Sequence, residues 1–124
     1  MQKFHIDDVK SRTLHGGTIN ERLSKVFASP VSTIKRDSFS FGMSLINPGQ
    51  VHEEHAHADN QELIYVAQGK GIGRVGGIDV DVKVGDIIGM EKGESHSFTN
   101  TGNEQLRLCW IYSPPGAEQH PIDD

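Results

Sequence analysis

Short segments in which apolar and polar residues alternate are the main structural signal along this chain. The clearest spans residues 38–45, where Phe39, Phe41, Met43 and Leu45 alternate with serines and a glycine. Successive side chains of a strand point to opposite faces of a sheet, so this segment predicts a strand with one apolar face. No segment of helical periodicity exceeds about two turns.

Further β-rich segments are separated by turns that contain glycine, of which the chain has fourteen. Gly76-Gly77 is a two-residue turn typical of a hairpin, and Asn47-Pro48-Gly49 ends the segment described above. The other predicted strands span residues 22–27, 62–67, 71–75, 78–84, 87–90, 95–99 and 105–112. Eight or more short strands without helices predict an all-β fold, either a closed barrel or a jelly roll.

Strand parity assigns side chains to the interior or the exterior of this fold. If Glu62 and His96 point inward, Leu63 and Tyr65 point outward and leave apolar surface that a second subunit could cover. The interior wall predicted in this way is apolar and suits a modest organic molecule better than a charged nucleotide. It consists of Ile64, Val66, Ile88 and Phe98.

Length and charge exclude several classes of protein. A chain of 124 residues with a net charge of −5 and both signs scattered predicts one domain, with no basic stripe for nucleic acid or a membrane surface. The first residues lack the apolar run of a signal peptide, so we expect a cytoplasmic protein. Cys109 is the only cysteine, which excludes an intrachain disulfide, and it is expected to be a small buried apolar residue.

The candidate chemistry lies in His55-Ala56-His57, followed by Glu62 and, thirty-four residues later, by His96. Residues two apart on a strand share a face, so His55 and His57 can direct two imidazoles to one point. The short turn-rich segment that follows can return the Glu62 carboxylate to the same point. Three imidazoles and one carboxylate suit one divalent transition metal ion, such as Fe, Mn, Ni, Co, Cu or Zn.

The histidines and glycines together resemble the cupin superfamily. Its first motif, G-x5-H-x-H-x4-E-x6-G, is matched in full, whereas its second, G-x5-P-x-G-x2-H-x3-N, has Glu91 at the proline position. The loss of a fixed φ at Glu91 is expected to weaken the rigidity of that loop. The matching positions are Gly49, His55, His57, Glu62 and Gly69 in the first motif and Gly85, Gly93, His96 and Asn100 in the second.

This resemblance implies a double-stranded β-helix, or jelly-roll barrel, with its metal ligands at His55, His57, Glu62 and His96. It also implies a homodimer and a small-molecule ligand. Two functions stay open: a metalloenzyme of oxygenase, isomerase or lyase type acting on an oxygen-rich small organic molecule, or a non-catalytic protein that binds a carbohydrate or acid. We expect one domain over residues 1–124, with a barrel core at about 36–113, an N-terminal arm at 1–21 and a C-terminal tail at 114–124.

Several other residues are weaker candidates. His52 could act as an acid or base beside the metal, although exposure in a loop is the favoured interpretation. Arg107 could bind a carboxylate or phosphate but is expected to face solvent. Trp110 and Tyr112 are expected to serve packing rather than substrate stacking. Surface positions are predicted for Glu53, Glu54, His5, His15 and His120.

Overall fold

The computed structural model describes residues 1–115, which form one 3₁₀ helix (Ile6–Asp8) and eleven strands. The remaining residues, 116–124, contain His120 and most of the predicted C-terminal tail, and those two expectations therefore lie outside the described residues. The strands are β1 (Ser11–Leu14), β2 (Arg22–Ser29), β3 (Ile34–Lys35), β4 (Ser40–Ile46), β5 (Val51–His55), β6 (Gln61–Gln68), β7 (Lys70–Val75), β8 (Ile78–Lys83), β9 (Ile87–Met90), β10 (His96–Asn100) and β11 (Leu106–Ser113).

The strands form two sheets, which confirms the all-β jelly-roll class. Six strands of the larger sheet follow the order β1-β2-β4-β11-β6-β9, and β3 pairs with β2 in parallel. The smaller sheet has the order β5-β10-β7-β8. The segment expected as an N-terminal arm thus contributes β1 to the larger sheet.

The expectation of a closed barrel is wrong, because within residues 1–115 the two sheets are not joined into one continuous ladder. They meet instead through turns: Val66 donates its N–H to the Asp86 carbonyl, and Gly85 donates to the Val66 carbonyl, each at 3.0 Å. The sheets therefore pack face to face and enclose the core between them.

The core lies between the sheets and follows the predicted parity. Ile64, Val66 and Phe98 are all buried, while Leu63 and Tyr65 on the opposite side of β6 are about half exposed, at 53% and 47%. The inward residues of β11 complete this cluster and include both aromatic residues expected to pack: Leu106, Leu108, Trp110 and Tyr112.

The apolar residues of β4 face away from this core, except Ile46 at its end, which is part of the core. Register pairs Tyr112 with Ser40 and Trp110 with Gly42, so the small residues of β4 point inward and Phe41 points outward. The inward side at Gly42 has no room for a side chain, because a Cβ atom there would lie 2.3 Å from the Lys25 carbonyl oxygen and 2.5 Å from the Trp110 ring. The larger sheet therefore carries an apolar outer face.

No helix within residues 1–115 is long and apolar enough to cross a membrane.

Candidate metal centre

Strand β5 carries two inward histidines because its pairing with β10 is irregular. His55 lies opposite His96, and His52 lies opposite Phe98, so three residues of β5 span the same length as two of β10. A bulge of this kind lets residues three apart share a face. His52 is consequently 6% exposed and lies in the interior rather than in an exposed loop, so the favoured interpretation of His52 is wrong.

His57 reaches the same place by a different route from the one that strand parity suggested. Strand β5 ends at His55, and His57 lies in the connection that follows. The Gly93 N–H, in the turn before β10, donates to the His57 carbonyl at 2.8 Å. Gly93 has a φ of +78°, a conformation that glycine adopts without strain. This turn thereby links the two predicted motifs.

Glu62 on β6 and His96 on β10 complete a compact cluster. Together with His55 and His57, they offer four ligand atoms that all lie within 4.8 Å of one another. The Glu62 Oε1 atom is 3.1 Å from His96 Nε2 and 3.6 Å from His57 Nε2. Adjacent ligands of one ion, each about 2.1 Å from it, lie about 3.0–3.4 Å apart.

Backbone carbonyls fix two of the rings. His55 Nδ1 lies 3.0 Å from the Glu53 carbonyl oxygen, and His96 Nδ1 lies 3.1 Å from that of Glu94. Because a carbonyl only accepts, each Nδ1 carries the proton and donates it, which leaves Nε2 with a free lone pair. Metal-binding histidines are commonly oriented in this way.

The donor set fits a cation. Glu62 Oε1 and His96 Nε2 are buried, and neither makes a well-directed hydrogen bond within residues 1–115. Two lone-pair atoms 3.1 Å apart repel each other unless a proton or a cation lies between them. The four residues could therefore hold one divalent ion.

The protein environment moves the pKa values of these histidines in different directions. Burial lowers the pKa of His55 to about 4, with a smaller contribution from the neighbouring His96 and His57. Burial would also lower the pKa of His96, but the Glu62 carboxylate outweighs it and the pKa is raised. His55 is therefore neutral near pH 7, and the neutral imidazole is the form that binds a metal.

Comparison with known proteins identifies the family. A family model described as the cupin domain matches residues 42–112, more than half of the chain. This chain belongs to the cupin family. The predicted resemblance is confirmed.

Two relatives show the range of cupins that this chain is similar to. An oxalate-binding protein of Thermotoga maritima is 38% identical over 71 residues, which cover 57% of this chain and 59% of that protein. The match therefore spans less than two thirds of that relative. Protein SchB of Streptomyces halstedii is 26% identical over 108 residues, covering 87% of this chain and 74% of that protein.

Solved structures of similar fold cover almost the whole chain. One from Thermotoga maritima, described as a predicted oxalate decarboxylase, has a TM-score of 0.79 and 25% identity and covers 91% of this chain and 99% of its own. KdgF from Halomonas sp. has the same TM-score with 16% identity and covers 97% of this chain and 99% of its own. The second likeness shows the fold alone.

Other residues of the cupin interior surround the cluster. The His52 ring stacks on His55 with centroids 4.5 Å apart, and Tyr112 packs edge-on against His57 at 4.6 Å. Burial lowers the pKa of His52 well below its usual value, with further lowering from Arg22 and the neighbouring histidines. Sequence reasoning missed Arg22, on β2, whose charge acts on this interior. A charged residue near the start of a predicted strand gave no signal of that role.

The weaker candidates lie away from the cluster. Arg107 has the outward parity of Cys109 on β11, is half-buried, and donates to the Gln105 side chain at 2.9 Å. Cys109 is only half-buried, and burial raises the pKa of its thiol. Glu54 is exposed, as are His5 and His15, while Glu53 is half-buried and pairs with His15 at 2.8 Å.

Hydrogen bonds hold two positions of the second motif: Glu91, which departs from it, and Asn100, which matches it. Glu91, in place of proline, accepts a hydrogen bond from the Gln61 side chain at 3.0 Å, and the Glu94 carboxylate accepts one from the Glu91 N–H at 3.2 Å. Asn100 is buried and bonds to three backbone groups at the other end of β10. These contacts place the strand that carries His96.

Proposed function

We propose that this cupin binds an oxygen-rich small organic molecule at a divalent transition metal ion held by His55, His57, Glu62 and His96. The observation that carries the proposal is the convergence of four ligand atoms within 4.8 Å, two of them on rings oriented by backbone carbonyls. A relative that is 38% identical over 71 residues is an oxalate-binding protein, which supports a small acid as the ligand.

The bound ion would supply Lewis acidity and open positions for a bidentate oxygen ligand such as a carboxylate, enediol or hydroxyketone. The residues of the chain provide the rest. Glu62 contributes the negative charge, and its 4% exposure keeps that charge out of bulk water. The apolar wall of Ile64, Val66, Ile88 and Phe98 excludes water and favours a compact organic ligand.

We further propose turnover of oxygenase, isomerase or lyase type, with His52 as the acid or base. His52 is buried, neutral near pH 7 and stacked on His55, so it lies next to the ligands without belonging to them. Its Nδ1 atom is buried and has no hydrogen-bond partner within the described part of the chain, which leaves it available to exchange a proton.

A second candidate is a non-catalytic protein that holds an acid at the metal. It is favoured by the same relative, which is an oxalate-binding protein. Fold and site do not by themselves imply turnover, so the two functions share all the geometry described above. Conversion of a bound ligand separates them.

Metal content tests the premise that both functions share. Protein purified without added metal, and then titrated with Mn(II), Fe(II), Ni(II) and Zn(II), should bind about one equivalent of at least one of them. Less than about 0.2 equivalents, with no uptake on titration, would reject the site. His57→Ala and His96→Ala should each lower occupancy and remove the rise in Tm on metal addition, because binding to the native state stabilises it.

Turnover is tested on the loaded protein. Oxygen uptake and NMR of product formation would be followed with oxalate, other small dicarboxylates, hydroxyketones and sugars. Conversion that is lost in His52→Gln, with metal content unchanged, supports the enzyme and the role of His52. Binding of a small acid without any conversion favours the non-catalytic function.

We also propose that the protein forms a homodimer through the outer face of the larger sheet. Register aligns Phe41, Ile111 and Leu63 in one row across that face and places Tyr65 beside Ile87 in the next. Four of these five side chains are at least 36% exposed, and a groove of about 360 Å³ borders Leu63 and Ile111. A contiguous apolar surface of this kind is typical of a subunit interface.

Light scattering tests the dimer. The expected mass is twice the 13.6 kDa of one chain, and Leu63→Glu should give the mass of one chain. Val80→Glu is the matched control, since Val80 is 43% exposed but lies on the other sheet. A wild-type mass of one chain at working concentration rejects the dimer.

A further inference from the structure

Arg22, which takes no part in the cluster described above, points into the space between the two sheets. It is the first residue of β2, where Leu23 pairs with Leu45 and Ser24 with Ser44. Ser44 belongs to the inward side of β4, because it lies opposite the core residue Leu108. Alternation along β2 therefore places Arg22 on the same inward side as Ser24.

The Arg22 guanidinium has a hydrogen-bond donor that is not in use. Its Nη1 atom is buried and has no hydrogen-bond partner within residues 1–115. Burial lowers the pKa of Arg22, although Glu53 and Tyr112 raise it, and a guanidinium keeps its charge across the physiological range. A buried, charged donor without a partner is unfavourable, and an anion that accepts from it would relieve this cost.

Two contacts fasten the region around Arg22 to β5, the strand that carries His52 and His55. The Val51 N–H donates to the Ile19 carbonyl at 2.8 Å, and His15 Nε2 lies 2.8 Å from Glu53 Oε1. The second contact also engages the carboxylate of Glu53 with His15. The hairpin between β1 and β2 therefore holds Arg22 beside the inward histidines.

His52 offers a second unsatisfied atom in the same interior. Its Nδ1 is buried without a hydrogen-bond partner among the described residues, and the ring stacks on the ligand His55. Val51, whose N–H bonds to the Ile19 carbonyl, directly precedes His52 on β5, so the connection that leads into Arg22 lies against the strand that carries His52. A neutral imidazole can donate one hydrogen bond while Arg22 supplies the positive charge.

We infer that Arg22 and His52 form an anion subsite that binds one carboxylate of a small acid whose other oxygen atoms reach the metal. This inference rests on the proposed function and narrows its ligand to small dicarboxylates and related acids. Neutral sugars and hydroxyketones lack the charge that Arg22 requires. Arg22 is thus a positioning residue that sets specificity, and it lies outside residues 42–112, which match the family model.

Calorimetric titration of the Mn(II)-loaded protein tests the subsite, with oxalate and malonate as the acids and malonamide as the neutral analogue of malonate. The variants are Arg22→Gln and Arg22→Lys, with Arg107→Gln as the matched control. Arg107 is also half-buried, so its replacement makes the same change of charge on the outer face of the sheet. Mn(II) affinity is measured separately for each variant without any acid.

Arg22→Gln should weaken acid binding about 10- to 100-fold, the range expected for loss of one charge-assisted hydrogen bond. Arg22→Lys should recover part of the loss, and Arg107→Gln should bind as wild type does. Mn(II) affinity and the weak binding of malonamide should change by less than about threefold, because Arg22 is not a metal ligand. Circular dichroism confirms that each variant is folded.

The inference is overturned if Arg22→Gln binds the acids as tightly as Arg107→Gln does, or if malonamide loses as much affinity as malonate. It is equally overturned if the loaded wild-type protein binds neither acid, an outcome that leaves the metal site intact. Failure of the wild-type protein to take up metal refutes the proposed function instead. Titration of the metal-free wild type and Arg22→Gln with malonate then decides the subsite by the same comparison.

Discussion

Asn100 joins three segments at the end of β10, and its replacement by Asp gives a quantitative test of the fold around the site. Its Nδ2 donates to the carbonyls of Ile46 and Glu104, each at 2.8 Å, and its Oδ1 accepts from the Gly102 N–H at 2.9 Å. Asn100 is 2% exposed, so water cannot take the place of its side chain in the buried bond to Ile46. Asp has the same shape but, when ionised, cannot donate.

The magnitude follows from the groups that Asn100→Asp would leave unsatisfied. Two donated hydrogen bonds are lost, one to the buried Ile46 carbonyl and one to the part-buried Glu104 carbonyl, at a cost of about 1–3 kcal/mol apiece. The Gly102 N–H still donates to the carboxylate and offsets part of this cost. We therefore expect the free energy of unfolding at pH 8 to fall by about 3–4 kcal/mol, a large part of the 5–15 kcal/mol typical of a domain.

The loss should depend on pH. Burial and the two facing carbonyls favour the neutral acid, so the folded-state pKa of the new Asp lies above the unfolded value of about 3.9. The folded state then binds more protons, and the stability of the variant falls, relative to wild type, as the pH rises from about 4 through that pKa. The loss should be about 1–2 kcal/mol smaller at pH 5 than at pH 8, since the neutral acid restores one donor.

Urea denaturation of the metal-free proteins at pH 5, 6.5 and 8 measures both effects. Trp110 is the only tryptophan and is 4% exposed, so its fluorescence reports unfolding of the core. The control is Asn103→Asp, the same change at an exposed position of the same turn. The reasoning fails if the two variants differ by less than about 0.5 kcal/mol at pH 8, or if their difference does not change with pH.

Three further predictions concern the core and the cluster. Gly42→Ala should lower the free energy of unfolding by more than about 2 kcal/mol, because its Cβ would lie 2.3 Å from the Lys25 carbonyl oxygen and 2.5 Å from the Trp110 ring. Gly89→Ala, where the nearest atom is 3.4 Å away, should change it by under about 1 kcal/mol in the same urea assay. The free energy of unfolding of the metal-free protein should fall by about 2 kcal/mol between pH 6.5 and pH 4, because His55, with a folded-state pKa of about 4, stays neutral while the unfolded chain takes up a proton. His55→Gln should remove this part of the loss, and a pH profile of the variant that matches wild type would contradict the prediction. Glu62→Gln should weaken metal binding by at least about 100-fold in chelator competition while leaving the fold intact, and wild-type affinity would contradict its role as a ligand.

Local features of the sequence predicted much of the fold. Gly76-Gly77 was sufficient for the hairpin, in which Val75 pairs with Ile78, and alternation in β6 was sufficient to separate inward from outward residues. The orientation of β4 could not be predicted from its own sequence, because a period-two pattern does not show which face is buried. Trp110 on β11 and the Lys25 carbonyl on β2 fill the space that a side chain at position 42 would need.

The four candidate ligands were predicted from residue types and spacing, but His52 was not placed correctly. Its burial depends on the bulge between β5 and β10, which brings residues 52 and 55 to one face. A bulge is a property of two strands in register, and a single strand read from its sequence cannot show it. The closed barrel was wrong for a related reason, since no local pattern encodes whether the edges of two sheets meet.

The metal cluster alone does not determine which ligand binds, and Arg22 lies outside that cluster. All four candidate ligands lie within residues 42–112, the part that matches the family, and three imidazoles with one carboxylate suit most first-row metals. Arg22 enters the interior from β2, before the matched region begins, and adds a fixed positive charge that the cluster lacks. On the inference above, Arg22 on β2, and not the four ligands, selects an acid over a neutral molecule. The comparison of Arg22→Gln with Arg107→Gln separates that contribution from the contribution of the metal.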